Sequence, residues 1–301
     1  MALVESRIGT DGNIYEHNKV SIAIQTLRDY EQIALEKYGE DGKNGYYVCI
    51  SGGKDSSVIQ QLCIMAGVKC QFYHNLTGLD HPETVYFLRR EQKRLGDLGY
   101  EFYIVPPEKR IFQLVKEKGM LPTRLVRYCC SILKERGGKD RFIVTGVRRA
   151  ESVKRNKTAL VEKRGNTQRD KVILQNDNTE TRRSVEHCVL QGKIALNIIV
   201  DWSDEDVWEF IDMYNCPYNP LYDMGYKRVG CIGCPMSTKK REELDANPKY
   251  KAMWMRMCEY LVTTTSSRHK TAIELYDWWT EKNKRIDIDE NQIGFEMEDL
   301  D

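Results

Sequence analysis

Short apolar runs alternate with helix-patterned stretches from residue 46 to residue 200, and no other feature restricts the fold as much. The runs predict strands at 46–50, 68–73, 100–105, 141–146 and 195–200. Between them lie helical stretches near 55–66, 82–95 and 108–118, and a shorter one near 131–137. Strands separated by helices pair in parallel through crossovers, so helices must cover both faces of the sheet. The expected fold class is therefore α/β: a parallel five-stranded sheet flanked by helices, with a helical C-terminal extension. Such sheets bind ligands at the carboxyl ends of their strands, near a topological switch point.

The flanks differ from this middle. Val20, Ile24, Leu27 and Ile33-Ala34 share one helical face over residues 16–38, and "GEDGKNG" at 39–45 breaks it. The expected organisation is an N-terminal helical segment at 1–40, an α/β domain at 41–200 with a polar insertion near 151–193, and a helical part at 201–301. In "SDEDVWEFIDMY", Ser203 reads as an N-cap followed by acidic residues in the first turn. Two more helices are expected at 239–262 and 270–284.

Composition narrows the class. At 41% hydrophobic and 30% charged residues, the chain reads as soluble and globular, not disordered. No apolar run approaches the ~18 residues of a membrane span. Met1 to Thr10 lacks a signal-peptide pattern, so a cytoplasmic location is expected. The net charge of +1 argues neither for nor against nucleic acid. Locally, Lys154, Arg155, Lys157, Lys163, Arg164, Arg169 and Lys171 face only Glu162 and Asp170. That segment is either a solvated loop or a weak pointer to an acidic partner, nucleic acid included.

The first expected strand leaves through "CISGGKDSSV", residues 49–58. A turn entering a helix exposes backbone N–H groups, and the helix N-terminus adds positive potential. Gly52 and Gly53 permit close approach, Lys54 supplies a point charge, and Ser51, Ser56 and Ser57 supply hydroxyl donors. Asp55 can cap the helix or hold a metal ion. A Gly-Gly turn that merely ends a strand accounts for the glycines but not for this polar cluster. The loop is not a Walker A motif.

Ten cysteines in a chain without a secretion pattern point away from a disulfide framework. Cys49, Cys63 and Cys70 lie in apolar contexts suited to core packing. Cys129 and Cys130 are adjacent, and Cys231 and Cys234 form a CxxCP unit about a hundred residues later. Four thiolates from two segments read as a metal site, for iron–sulfur or for zinc, with an unmetallated thiol set the remaining alternative. Arg124, Arg127, Lys134, Lys139 and Arg141 crowd the first pair, and cations favour thiolates. Cys188, Cys216 and Cys258 fit no such spacing.

"SGGKDSS" resembles the PP-loop of the ATP-pyrophosphatase superfamily, and the likeness extends to the phosphoadenosine phosphosulfate (PAPS) reductase family within it. "NLTGLDHPET" at 75–84, "TGVRRAES" at 145–152 and "DWSDEDVWEFI…PYNPLYDMGYKRVGCIGCP" resemble that family's later segments. The resemblance implies a nucleotide site made of Ser51, Gly52, Gly53, Lys54, Asp55, Ser56, Ser57, Asn75, Thr77, Gly78, Gly146, Arg148 and Arg149. Lys54, Asp55 and Arg148 are the expected catalytic groups, with Asp55 assisting Mg²⁺. It also implies a [4Fe-4S] cluster on Cys129, Cys130, Cys231 and Cys234, with zinc the lesser alternative, and an adenine nucleotide such as ATP as ligand.

One departure matters. Sulfonucleotide reductases attack sulfate with a cysteine in a late Glu-Cys-Gly-Leu-His-like motif, whereas the last cysteine here is Cys258, in a helix-patterned stretch. "LPTRLVRYCCSILKE" is also similar in layout to the ATP-pyrophosphatases of DNA phosphorothioation, which split ATP to AMP and pyrophosphate. The first expectation is therefore ATP splitting coupled to sulfur transfer, with a sulfur-donor or thiol-reductant protein as partner. The others are a sulfonucleotide reductase with an external or atypical nucleophile, and a non-catalytic nucleotide-sensing iron–sulfur protein. The sequence leaves a homo-oligomer open.

Overall fold

The computed structural model describes residues 3–8, 10–36, 39–138, 141–151, 158–164 and 193–281. The chain divides into two compact units: Met1–Ile111 with Arg124–Cys231, and Phe112–Thr123 with Ile232–Asp301. No helix among the described residues is long and apolar enough to cross a membrane.

The first unit opens with an antiparallel hairpin of β1 (Val4–Ile8) and β2 (Ile14–Asn18), which the sequence reading did not contain. Its outer positions, Ile8 and Ile14, are exposed, so no buried face marks it in the pattern. Helix α1 (Lys19–Glu36) starts later than the periodicity suggested. Asn18 Oδ1 accepts from the backbone N–H groups of Val20 and Ser21 at 3.1 and 3.0 Å, which fixes the start. A short turn of helix, α2 (Gly39–Gly42), follows.

Then come β3 (Tyr46–Cys49), α3 (Lys54–Ala66), β4 (Cys70–Asn75), α4 (Pro82–Asp97), β5 (Glu101–Val105), α5 (Ile111–Lys118) and β6 (Phe142–Val144). A π-helical turn spans Cys130–Lys134, where a short helix was expected. Strands β7 (Val161–Arg164) and β8 (Lys193–Leu196) and helix α6 (Asp204–Met213) complete the unit. The sheet order is β5-β4-β3-β6-β8-β7. Five strands are parallel, as expected, and β7 adds an antiparallel edge against β8. β7 reads "VEKR", and its charges, typical of an edge strand, hid it from the apolar pattern.

Strand limits shifted for two reasons. β4 runs on through the polar His74 and Asn75 because their backbones pair with Ile104 and Val105. Ile198, Ile199 and Val200 are buried in a turn, so an apolar run there mimicked a strand. The core places Tyr46, Val48, Phe72, Phe142, Val144 and Leu196 of the sheet with Val58, Ile59 and Leu62 of α3 and Phe210 of α6. The chain steps outward from β3 to β5 and returns to β6 on the other side of β3. The switch point therefore lies between the carboxyl ends of β3 and β6.

The second unit holds most of α5 together with α7 (Lys240–Asp245), α8 (Pro248–Thr264) and α9 (Ala272–Thr280). The expected single helix at 239–262 is broken before Pro248, which has no N–H to continue the ladder. Trp254 and Trp279 pack with ring centroids 4.4 Å apart, and Trp279 Nε1 donates to the Pro122 carbonyl at 2.7 Å. Cys258 is fully buried on α8.

Candidate active site

The loop after β3 sits at the switch point. Gly52 has φ +80°, and a Cβ there would stand 2.7 Å from Thr84 Cγ2 of α4, so only glycine fits. Asn219 clamps the loop, its Nδ2 donating to the Gly52 carbonyl at 3.0 Å and to Thr84 Oγ1 at 2.9 Å. Gly53 is the N-cap of α3. The Ser51 hydroxyl accepts from Gly53 N at 3.3 Å and stands 3.2 Å from the Ser56 hydroxyl, which bonds the Gly53 carbonyl. Ser57 is buried, and its carbonyl accepts from the Cys216 thiol at 3.4 Å. Burial pushes that thiol up to about 12, so Cys216 is a packing thiol.

Opposite, the loop after β6 closes on the start of α3. A Cβ on Gly146 would lie 3.0 Å from the Asp55 carbonyl, so the close approach depends on glycine. Arg148 then reaches the loop: Nε donates to Asp55 Oδ1 at 2.6 Å and Nη2 to Asp204 Oδ1 at 2.9 Å. Lys54 Nζ donates to the same Asp204 oxygen at 2.6 Å. Lys54 and Arg148 are buried, 6% and 3% exposed. Burial by itself would raise the Asp204 carboxyl. Hydrogen bonds and charge from Lys54 and Arg148 outweigh that and hold it below the usual carboxylate range. The Tyr222 hydroxyl accepts from Lys54 N at 3.0 Å. Burial pushes Tyr222 up to about 12, against the opposing Lys54 N–H, so it stays a neutral phenol with a proton to donate.

The structure thus brings Ser51, Gly52, Gly53, Lys54, Asp55, Ser56, Ser57, Gly146 and Arg148 to one place. Arg149 turns elsewhere, to the Thr158 carbonyl at 2.8 Å and to Asp201. Asn75, Thr77 and Gly78 line the neighbouring loop after β4. Thr77 N and Oγ1 both donate to Asp80 Oδ2, at 2.8 and 3.0 Å. Asn75 Nδ2 donates to the Lys134 and Arg136 carbonyls at 2.9 and 2.7 Å. The basic 154–171 segment, Ser152, Lys139 and Cys188 lie outside the described residues, apart from 158–164.

Two cysteine segments meet that same loop. Cys129 and Cys130 open the π-helical turn whose far end Asn75 holds. The Cys231 thiol donates to Thr77 Oγ1 at 3.4 Å, and Cys231 forms an antiparallel bridge with Asp80. Thiolates are the donors an iron–sulfur cluster takes, and of these thiols Cys231 is the one bonded to the loop after β4. Among the described residues, no three His, Cys, Asp or Glu side chains are drawn into a metal-holding group. Cys234 belongs to the second unit, where its carbonyl accepts from Ser237 N at 2.9 Å.

Asp204, Asn219 and Tyr222 were not singled out from sequence. Asp204 reads there as an ordinary first-turn acid, and Asn219 and Tyr222 only as part of a matching "NPLYD" stretch.

An uncharacterised protein of Methanocaldococcus jannaschii is 26% identical over 280 residues, covering 90% of this chain, while the chain spans 56% of that protein's length. The adenosine 5'-phosphosulfate reductase of Oceanobacillus iheyensis is 28% identical over 209 residues, covering 67% of this chain and 75% of that one. Its Pseudomonas aeruginosa counterpart is 26% identical over 223 residues, covering 71% and 73%. A Candida auris PAPS reductase crystallised with phosphate aligns with 75% of this chain and 96% of its own, at 16% identity and a TM-score of 0.41. The family model for the phosphoadenosine phosphosulfate reductase domain matches residues 45–237, well over half of the chain, and the chain belongs to that family.

Proposed function

We propose that this protein is an enzyme that binds an adenine nucleotide at the 51–57 loop and splits ATP to AMP and pyrophosphate, activating a substrate for sulfur transfer. A nucleophilic oxygen of the substrate bonds to the α-phosphorus, and the bond from that phosphorus to the bridging oxygen breaks. Pyrophosphate leaves with the electron pair, and AMP leaves when sulfur displaces it. The observation that supports this reading is the convergence of two buried cations, Lys54 and Arg148, on the N-terminus of α3. Fixed cations in a buried site stabilise charge that develops on a leaving group. Asp55 offers carboxylate oxygens of the kind Mg²⁺ takes alongside phosphates. Cys129, Cys130, Cys231 and Cys234 would hold a [4Fe-4S] cluster, which supplies one-electron chemistry when bound. A sulfur-donor or thiol-reductant protein is the partner this chemistry requires.

The second reading is a sulfonucleotide reductase, favoured by the relatives named adenosine 5'-phosphosulfate reductase. It needs a thiolate to attack sulfate. Cys258, the last cysteine of these residues, is buried, and burial pushes its thiol up to about 12, so it does not serve. An external or atypical nucleophile would have to. The test incubates the protein with ATP and Mg²⁺, with adenosine 5'-phosphosulfate, or with PAPS, each with thioredoxin and a reductant, and measures pyrophosphate and sulfite. Pyrophosphate from ATP is expected, unchanged in Cys258→Ser. Efficient sulfite release without pyrophosphate from ATP would overturn the proposal, through Cys258 if it disappears in Cys258→Ser and through another nucleophile if it persists, and tight nucleotide binding without turnover would favour the nucleotide-sensing reading.

A further inference from the structure

Asp204 is the most exposed member of a charge cluster that also holds Lys54, Arg148 and the half-buried Asp55. Its side chain is 57% exposed, while those of Lys54 and Arg148 behind it are 7% and 3% exposed. One oxygen, Oδ1, accepts from both cations, at 2.6 and 2.9 Å. An anion approaching from solvent meets this carboxylate before it meets either cation. We infer that Asp204 holds the place of the substrate's anionic group, and that a phosphate or sulfate oxygen of the nucleotide displaces its carboxylate from Lys54 and Arg148. This inference rests on the reading that the 51–57 loop binds that group.

The surroundings suit an exchange made by side-chain rotation alone. Ser203 caps α6 in a reciprocal capping box with Asp206, and Asp206 also pairs with Lys19 at 2.7 Å, so the backbone of Asp204 is fixed. Arg148 keeps its aim once Asp204 leaves, because Asp55 Oδ1 and the Trp202 carbonyl still accept from it. Without Asp204, a buried lysine would lack its closest counter-charge in the empty site, which is costly. The carboxylate therefore stabilises the empty site and competes with every entering anion. Ligands that bring several oxygens to the loop, as a polyphosphate does, overcome that competition, whereas small single anions do not. Asp204 is thus a positioning and selectivity residue for the anion subsite.

Calorimetric titration with inorganic pyrophosphate, without divalent cations, tests this in wild type, Asp204→Asn, Asp204→Ser and Lys54→Ala. Both Asp204 variants are expected to bind pyrophosphate about tenfold tighter, since the competing charge is gone. Their Tm should also rise further on adding pyrophosphate than that of wild type. A residue with only a structural role would not produce tighter binding when removed. Unchanged or weaker binding in both Asp204 variants, with binding lost in Lys54→Ala, overturns the inference and leaves the loop reading standing. Wild-type affinity in folded Lys54→Ala overturns the loop reading, and the inference with it.

Discussion

Lys54 combines three properties: burial, a carboxylate partner at 2.6 Å, and a place in the first turn of α3. On the proposed function, a buried cation so placed takes the nucleotide's anionic group. Lys54→Ala should weaken adenine-nucleotide binding about ten- to a hundredfold in a folded protein, as expected for one lost charge-assisted contact. Equilibrium dialysis with labelled ATP reads this directly, and unchanged affinity would remove the loop from the site. Gly52 carries a different constraint. Its φ of +80° and the 2.7 Å approach of Thr84 Cγ2 both oppose any side chain. Gly52→Ala should cost about 1–3 kcal/mol in urea unfolding. Adding Thr84→Ser removes the clashing methyl while keeping the hydroxyl that Asn219 bonds, so it should recover part of the loss. No recovery would mean that backbone strain alone sets the cost. The glycines and the lysine were legible from sequence because local chemistry defines them. Asp204 and Tyr222 were not, because their partners lie 150 and 168 residues away in sequence.

β4 shows how an element carries the site. It ends in His74 and Asn75, the first joining the strand to the loop after β3 and the second holding the π-helical turn. His74 Nδ1 donates to the Ile50 carbonyl at 2.8 Å, and Nε2 is buried with no hydrogen-bond partner among the described residues. Burial lowers the pKa of His74, with Asp80 and the Ile50 carbonyl opposing. The folded state therefore holds a neutral imidazole, while the unfolded chain takes up a proton near pH 6.5. This contribution is complete above that pH and is lost as pH falls toward the lower folded-state value. Stability should decline by up to about 1.4 kcal/mol per pH unit below pH 6.5. Urea unfolding at pH 7.5, 6.5 and 5.5 would show that slope in wild type and a shallower one in His74→Gln. Equal slopes would show that His74 is not the titrating group. Sequence periodicity could not extend β4 this far, since both terminal residues are polar and pair only through their backbones.

At the scale of the molecule, the thiol set is the largest open chemical question. Cys129 and Cys130 open the π-helical turn whose far end Asn75 holds, Cys231 bonds Thr77 in the loop after β4, and Cys234 follows three residues after Cys231. Anaerobically purified protein should be brown and carry about four irons per chain. Metal analysis and the visible spectrum check this, and Cys130→Ala should lose the colour without unfolding the first unit. Stoichiometric zinc without iron would assign the thiols to a structural zinc site instead.

The sequence by itself determined the alternation that makes the sheet parallel, the glycine-rich polar turn at 51–57 that opens α3, and the chain's membership of a family. Each is written in local pattern or contiguous motif, over a few residues at a time. Only the tertiary structure decided where β4 and β8 end, that β7 adds an antiparallel edge, that the N-terminus opens in a hairpin, and that Arg149 turns away while Arg148 turns in. It also decided that Asp204, Asn219 and Tyr222 close on the loop. Those outcomes depend on which distant backbones pair and on which side chains then find a partner of opposite charge or a free donor. Propensity and spacing act within one turn or one strand and do not reach across the sheet.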